Sequence, residues 1–141
     1  MTKPIKLALL IDDEVIDQRM YTRILMRSGL MEELKCFELA IDALEYLKSD
    51  AAPKVDVIFL DINMPLMDGF EFLEAAQVAL GPDYAKMVVA MLTTSLNPAD
   101  EARARSFEVV RKYIVKPLKL HHVAEVAELL KKGGSAVIPD H

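Results

Sequence analysis

Three short apolar runs dominate the hydropathy pattern, at residues 7–11, 55–60 and 87–92. Each is nearly continuous instead of alternating, which is how strands read when helices cover both faces of a parallel sheet. Two weaker runs, residues 35–39 and 112–115, have the length of further strands. Between the runs the apolar spacing lengthens to a helical period. Ile16, Met20 and Ile24 recur four apart, with Tyr21 and Leu25 beside them and Arg19, Arg23 and Arg27 on a polar face. Gly29 supplies a C-terminal cap for that helix. A short helix spans residues 41–48 with Leu44 and Leu47 inward, and Phe70, Leu73, Ala76 and Leu80 mark a third, closed by Gly81 and Pro82. Pro98 opens a fourth, which runs through the polar stretch 100–105 to Phe107. Leu120, Val123, Ala127 and Leu130 mark the last, before Gly133 and Gly134.

Five strands alternating with five helices predict an α/β domain with a doubly wound, five-stranded parallel sheet. The flavodoxin-like order 2-1-3-4-5 suits the size. The domain is expected over residues 5–132, with a flexible tail over 133–141. No internal repeat or low-complexity stretch interrupts the chain.

Composition narrows the function. The 141 residues are 52% hydrophobic and 28% charged, which is ordinary globular usage, and the net charge is −5. An acidic balance argues against nucleic acid or an anionic membrane as the main partner, since both favour a basic face. The one cysteine, Cys36, cannot form an intramolecular disulfide, which fits a reducing cytoplasm; inside an expected strand it reads as a small buried hydrophobe. The apolar run at residues 7–11 is too short for a signal-peptide core, and no run reaches membrane-spanning length. A cytoplasmic, soluble domain is the expectation.

In a doubly wound sheet, ligands bind beyond the C-terminal ends of the strands. The expected strands end in Asp12 and Asp13, Asp61, Thr93, and Lys116 followed by Pro117. Taken singly each has a plain reading: Asp13 caps a helix, Thr93 ends a strand, Lys116 and Pro117 make a loop. At successive strand ends they describe one shared site. Three gathered carboxylates repel one another unless a cation joins them, and oxygen-only donors beside an anion suit Mg²⁺. Lys116 and the Thr93 hydroxyl remain to hold an anion next to the metal. Adjacent His121 and His122 are expected to face different ways on a helix, with no partner at ligand spacing.

The segments 9–14, 60–69, 92–95 and 113–117 resemble those of receiver domains in bacterial two-component response regulators, especially stand-alone, chemotaxis-type receivers. The resemblance extends over about residues 5–132, and the stretch from Asp61 through Met64, Pro65, Met67 and Asp68 to Gly69 is its most specific part. It implies that Asp61 is the phosphoacceptor, with Lys116 and Thr93 holding the phosphoryl oxygens. It implies Mg²⁺ on Asp13, Asp61 and the backbone carbonyl of Asn63, with Asp12 acting partly through water. It implies a cis peptide between Lys116 and Pro117, and an output switch in which Thr93 moves inward and the Tyr113 ring rotates into the vacated space. The implied partners are a sensor histidine kinase or histidine phosphotransfer protein and a downstream protein target, the chain being a monomer or weak homodimer. No catalysis is implied beyond the domain's own phosphorylation and dephosphorylation. Partner contact is expected around the first helix, at Arg19, Tyr21, Arg23 and Leu25.

Three departures from the commonest pattern remove no catalytic group. Ile62 follows the phosphoacceptor, Thr94 follows the switch threonine, and Arg111 with Lys112 gives a charged loop before the fifth strand. Other classes on the same fold fare worse. A phosphohydrolase needs an acid two places after Asp61, where Asn63 stands, and a nucleotide or flavin module needs a Gly-rich loop after the first strand. A phosphorylation-independent adaptor would leave the full acidic and lysine set idle.

Overall fold

The computed structural model describes residues 3–49 and 53–131. Strands and helices alternate as β1 (Ile5–Ile11), α1 (Val15–Arg27), β2 (Met31–Phe37), α2 (Ala40–Lys48), β3 (Val57–Asp61), α3 (Gly69–Leu80), β4 (Val88–Thr93), α4 (Pro98–Arg105), β5 (Val110–Val115) and α5 (Leu120–Lys131). A 3₁₀ turn, Gly81–Lys86, joins α3 to β4. The sheet is parallel throughout, in the order β2-β1-β3-β4-β5. This is the doubly wound fold that the strand pattern predicts. The expected tail at 133–141 lies outside the described residues.

Successive side chains of the central strands point to opposite faces and build two cores. Leu9, Ile11, Ile58, Leu60, Val89 and Met91 pack with Phe72 and Leu73 of α3, Ala43 of α2 and Ala104 of α4. Ala8, Leu10, Phe59, Ala90 and Leu92 pack with Tyr21 and Leu25 of α1 and Val123, Val126 and Leu129 of α5. Both faces of β3 and β4 are therefore dry, which is why those runs are unbroken in the sequence.

Several expectations are corrected. The α1 stripe is rotated: Ile16 is 76% exposed and Met20 43%, whereas Tyr21 and Leu25 are 2% and 0% exposed. The helix carries two neighbouring apolar stripes, and the inner one continues back to Asp17, whose carboxylate is needed at the sheet end. On α5, Leu120 is exposed and Val126 and Leu129 complete the inner face instead. On α2, Leu44 and Leu47 do face inward and pack against the core, beside the fully buried Ala40 and Ala43. Strand β2 starts four residues earlier than the run at 35–39 suggests, because an edge strand needs few apolar side chains. For the same reason Cys36 is exposed, with its Sγ 3.3 Å from the Thr22 hydroxyl. Arg111 and Lys112 lie within β5 and not in a loop, and Lys112 pairs with Glu125 of α5 at 2.6 Å.

One contact couples the fold directly to the site. Gly69, the first residue of α3, donates its N–H to the Ile62 carbonyl at 2.8 Å. A Cβ there would sit 2.8 Å from the Asp61 carbonyl oxygen and 3.0 Å from the Ile62 Cα, both backbone atoms that cannot yield. Gly69→Ala is expected to destabilise the domain by about 1–3 kcal/mol, through forced separation of α3 from β3. Urea denaturation measures this, and an unchanged midpoint would mean that α3 shifts without cost.

Candidate functional site

Register brings four strand ends to one edge. Ile11 lies opposite Leu60, Asp61 opposite Leu92, and Thr93 opposite Val115. The residues that follow or end these strands therefore converge. Asp12 is fully buried; its N–H donates to the Phe37 carbonyl at 3.0 Å, and its Oδ1 accepts from the Glu14 N–H at 2.9 Å. That second bond makes the turn into α1. Glu14 is the N-cap residue and caps with no side-chain bond, so Asp13 is not the helix cap of the plain reading. Carboxylate oxygens of Asp12, Asp13 and Asp61 all lie within 4.8 Å of one another, and this is the one group of its kind among the described residues.

Asp61, at the end of β3, is 5% exposed and its carboxylate accepts from the Asn63 N–H. Lys116 enters after β5, where its N–H donates to the Thr93 carbonyl at 2.8 Å and its peptide bond to Pro117 is cis, as the resemblance implies. Its ammonium stands 3.1 Å from Asp12 Oδ2, 3.0 Å from Asp17 Oδ2 and 3.6 Å from Asp61 Oδ1. The ring of Tyr21 lies beneath it at 5.8 Å. Thr93 is fully buried and its hydroxyl accepts from the Ser95 N–H at 2.9 Å. The Tyr113 hydroxyl is buried beside the Thr93 side chain, so the inward rotation expected of its ring starts from a phenol already inside.

Charge at the site is poorly balanced. Burial pushes the Asp61 carboxyl up from 3.8 to about 7; Lys116 opposes the shift, while Asp12 and Asp13 add to it. Burial likewise raises Asp12, against its bonds to the Glu14 N–H and Lys116. Desolvation by itself lowers Lys116, but the carboxylates of Asp61, Asp17 and Asp12 outweigh it and hold the ammonium well above its ordinary value. One cation faces four carboxylates. The donor set is all oxygen and short of positive charge, which is the chemistry of a hard divalent cation.

All the residues singled out at the strand ends are brought to one edge, while Asn63 meets the site through its N–H, which donates to Asp61. Sequence reading missed Asp17, whose signal is its spacing: Asp17, Tyr21 and Leu25 lie four apart on one helical face. It also missed Gln18, whose Nε2 donates to the carbonyls of Asp12 at 3.2 Å and Phe37 at 3.1 Å and so pins α1 to the sheet edge. His121 and His122 stand apart from the site. Their rings meet at 4.0 Å instead of diverging, because His122 turns back to accept the Lys119 N–H on Nδ1 at 2.9 Å.

Comparison with known proteins agrees with this geometry. Residues 8–128 match the response regulator receiver domain, and the chain belongs to that family. Response regulator Rcp1 of Synechocystis is 32% identical over 103 residues, covering 70% of this chain and 69% of that protein. Hybrid signal transduction histidine kinase L of Dictyostelium discoideum is 30% identical over 127 residues, or 89% of this chain but 7% of that protein. Several curated relatives are thus longer, and the chain spans less than two thirds of their length. A two-component response regulator from Cytophaga hutchinsonii superposes with a TM-score of 0.85 at 28% identity, covering 91% of this chain and 98% of that one. The chain is accordingly a receiver domain of two-component signalling, with an acidic cluster able to hold a metal ion.

The raised Asp61 pKa carries a stability consequence. The folded state binds the Asp61 proton more tightly than the unfolded chain, so without metal this group costs stability progressively as pH rises from about 4 to about 7. In chelator at pH 8, Asp61→Asn is expected to be about 1–3 kcal/mol more stable than wild type, and at pH 4 the difference should vanish. Thermal melts at the two pH values test this; equal differences at both would remove the charge burden from Asp61.

Proposed function

We propose that Asp61 accepts a phosphoryl group from the phosphohistidine of a sensor kinase or phosphotransfer protein, with Mg²⁺ as the metal. The observation that carries this reading is the placement of a buried carboxylate at a strand end, with its nearest cation, Lys116, at 3.6 Å and two further carboxylates within 4.8 Å. An Asp61 oxygen attacks phosphorus, the bond from phosphorus to the imidazole nitrogen breaks, and the imidazole leaves with that electron pair. Lys116 and the Thr93 hydroxyl hold the phosphoryl oxygens. Asp13, Asp61 and the Asn63 carbonyl would hold the Mg²⁺, with Asp12 acting partly through water. When bound, the ion offsets the surplus carboxylate charge and draws in the anionic donor.

Output runs through Thr93 and Tyr113. A phosphoryl oxygen offers the Thr93 hydroxyl a strong acceptor in place of its present neighbours, and the Tyr113 phenol beside it repositions against α4 and β5. Catalysis is confined to the domain's own phosphorylation and dephosphorylation, and the setting is the cytoplasm. No helix among the described residues is long and apolar enough to cross a membrane. The partner-facing surface on α1 differs from the expected one, since Tyr21 and Leu25 are core residues. Val15, Ile16 and Met20 supply the exposed apolar part, flanked by exposed Arg19 and Arg23.

Acetyl phosphate with Mg²⁺ is expected to add one phosphoryl group by intact mass. Asp61→Asn should abolish the gain and chelation should suppress it. Labelling of Asp61→Asn equal to wild type would move the phosphoacceptor elsewhere. Charge reversal at Arg19 and Arg23 should slow transfer from the cognate kinase about tenfold, a loss of electrostatic steering, while acetyl phosphate labelling stays unchanged. Equal loss with both donors would instead mark damage to the fold.

A further inference from the structure

The resting position of Lys116 is set partly from α1. Its ammonium has two contacts at hydrogen-bond distance, Asp12 at 3.1 Å and Asp17 at 3.0 Å, whereas Asp61 stands off at 3.6 Å. The lysine side chain is 9% exposed and the Asp17 side chain 30%, so the contact between them is partly shielded from water. An acidic residue in the first turn of a helix commonly serves only the helix dipole. Asp17 does more than that, because its Oδ2 lies against the ammonium of a residue 99 positions away in sequence. Tyr21, one turn along the same face, closes the other side of the ammonium with its ring. A lysine has three N–H donors, and two are committed to Asp12 and Asp17. One N–H remains for an oxygen of a phosphoryl group on Asp61, and with Asp61 Oδ1 standing at 3.6 Å the pull of Asp17 at 3.0 Å works against a closer approach to that side.

We propose that Asp17 is a positioning residue that parks Lys116 on α1 and competes with the phosphoryl group for its ammonium, setting how readily the site captures an anion. The inference rests on the phosphoacceptor reading and deepens it. It gives α1 a direct link to the site chemistry, because the helix that exposes Val15, Ile16 and Met20 also holds the lysine.

The test is a beryllofluoride titration at fixed Mg²⁺, followed by the Thr93 amide signal, on the full chain. Asp17→Asn keeps the shape of the side chain and removes its charge. Its half-saturating concentration is expected to fall about three- to tenfold, the range for breaking a partly buried ion pair. In the free protein the same variant should shift the Lys116 Nζ resonance. Asp17→Glu restores the competing charge and should return the midpoint toward wild type. Glu14→Gln removes an exposed charge from the same helix start without touching Lys116, and should leave both the midpoint and the Nζ resonance in place. An unmoved or higher midpoint in Asp17→Asn overturns the inference, as does an equal fall in Glu14→Gln, which would reduce the effect to general electrostatics. Absence of beryllofluoride binding by wild type would overturn the phosphoacceptor reading itself, and this inference with it.

Discussion

The contact on which the site depends is the ammonium of Lys116 among the carboxylates of Asp12, Asp17 and Asp61. A buried carboxylate survives only if paired, and a single lysine cannot neutralise three carboxylates with Asp13 as a fourth nearby. The imbalance appears as a carboxyl at Asp61 pushed up to about 7 chiefly by burial. A site in this condition favours whatever brings positive charge, and then the anion that the charge attracts. Structure at the sheet edge is therefore held at some cost to stability, which is the usual arrangement where chemistry is done.

The fold makes that arrangement possible by dividing the work. The cores on either face of β3 and β4 are apolar and tightly packed, so the strand ends are fixed independently of the charges they carry. Asp12 is turned back by its own bond to the Glu14 N–H, and Asp61 has α3 pressed against its backbone at Gly69. Thr93 and Lys116 are joined through the backbone, Lys116 N–H to Thr93 carbonyl, so the groups assigned to the phosphoryl oxygens sit at the ends of adjacent strands, Thr93 opposite Val115 and Lys116 directly after it. Asp61 and Thr93 end strands, while Asp12, Asp13 and Lys116 follow directly on strand ends.

Much of this was legible in the sequence because the central strands are dry on both faces and so unbroken in hydropathy. Counting strand ends then located Asp12, Asp13, Asp61, Thr93 and Lys116. Less was legible wherever an element borders solvent. Edge strand β2 uses polar residues, so its start and the exposure of Cys36 were misread. Helix α1 offered two apolar stripes of similar strength, and only tertiary packing, Tyr21 and Leu25 against the core with Asp17 reaching Lys116, shows which one faces inward. The meeting of His121 and His122 likewise follows from a backbone cap at Lys119 and not from helical periodicity.

Charge deficit at the strand ends can be read directly at Asp61 by a carbon NMR titration of its carboxyl group, with and without Mg²⁺. Without metal the carboxyl should titrate near 7, the value to which burial raises it, and with Mg²⁺ the titration should move well below that value. An ordinary carboxylate titration near 4, the same in both conditions, would contradict a charge-starved site, and with it the physical cause of metal and phosphoryl binding at Asp61.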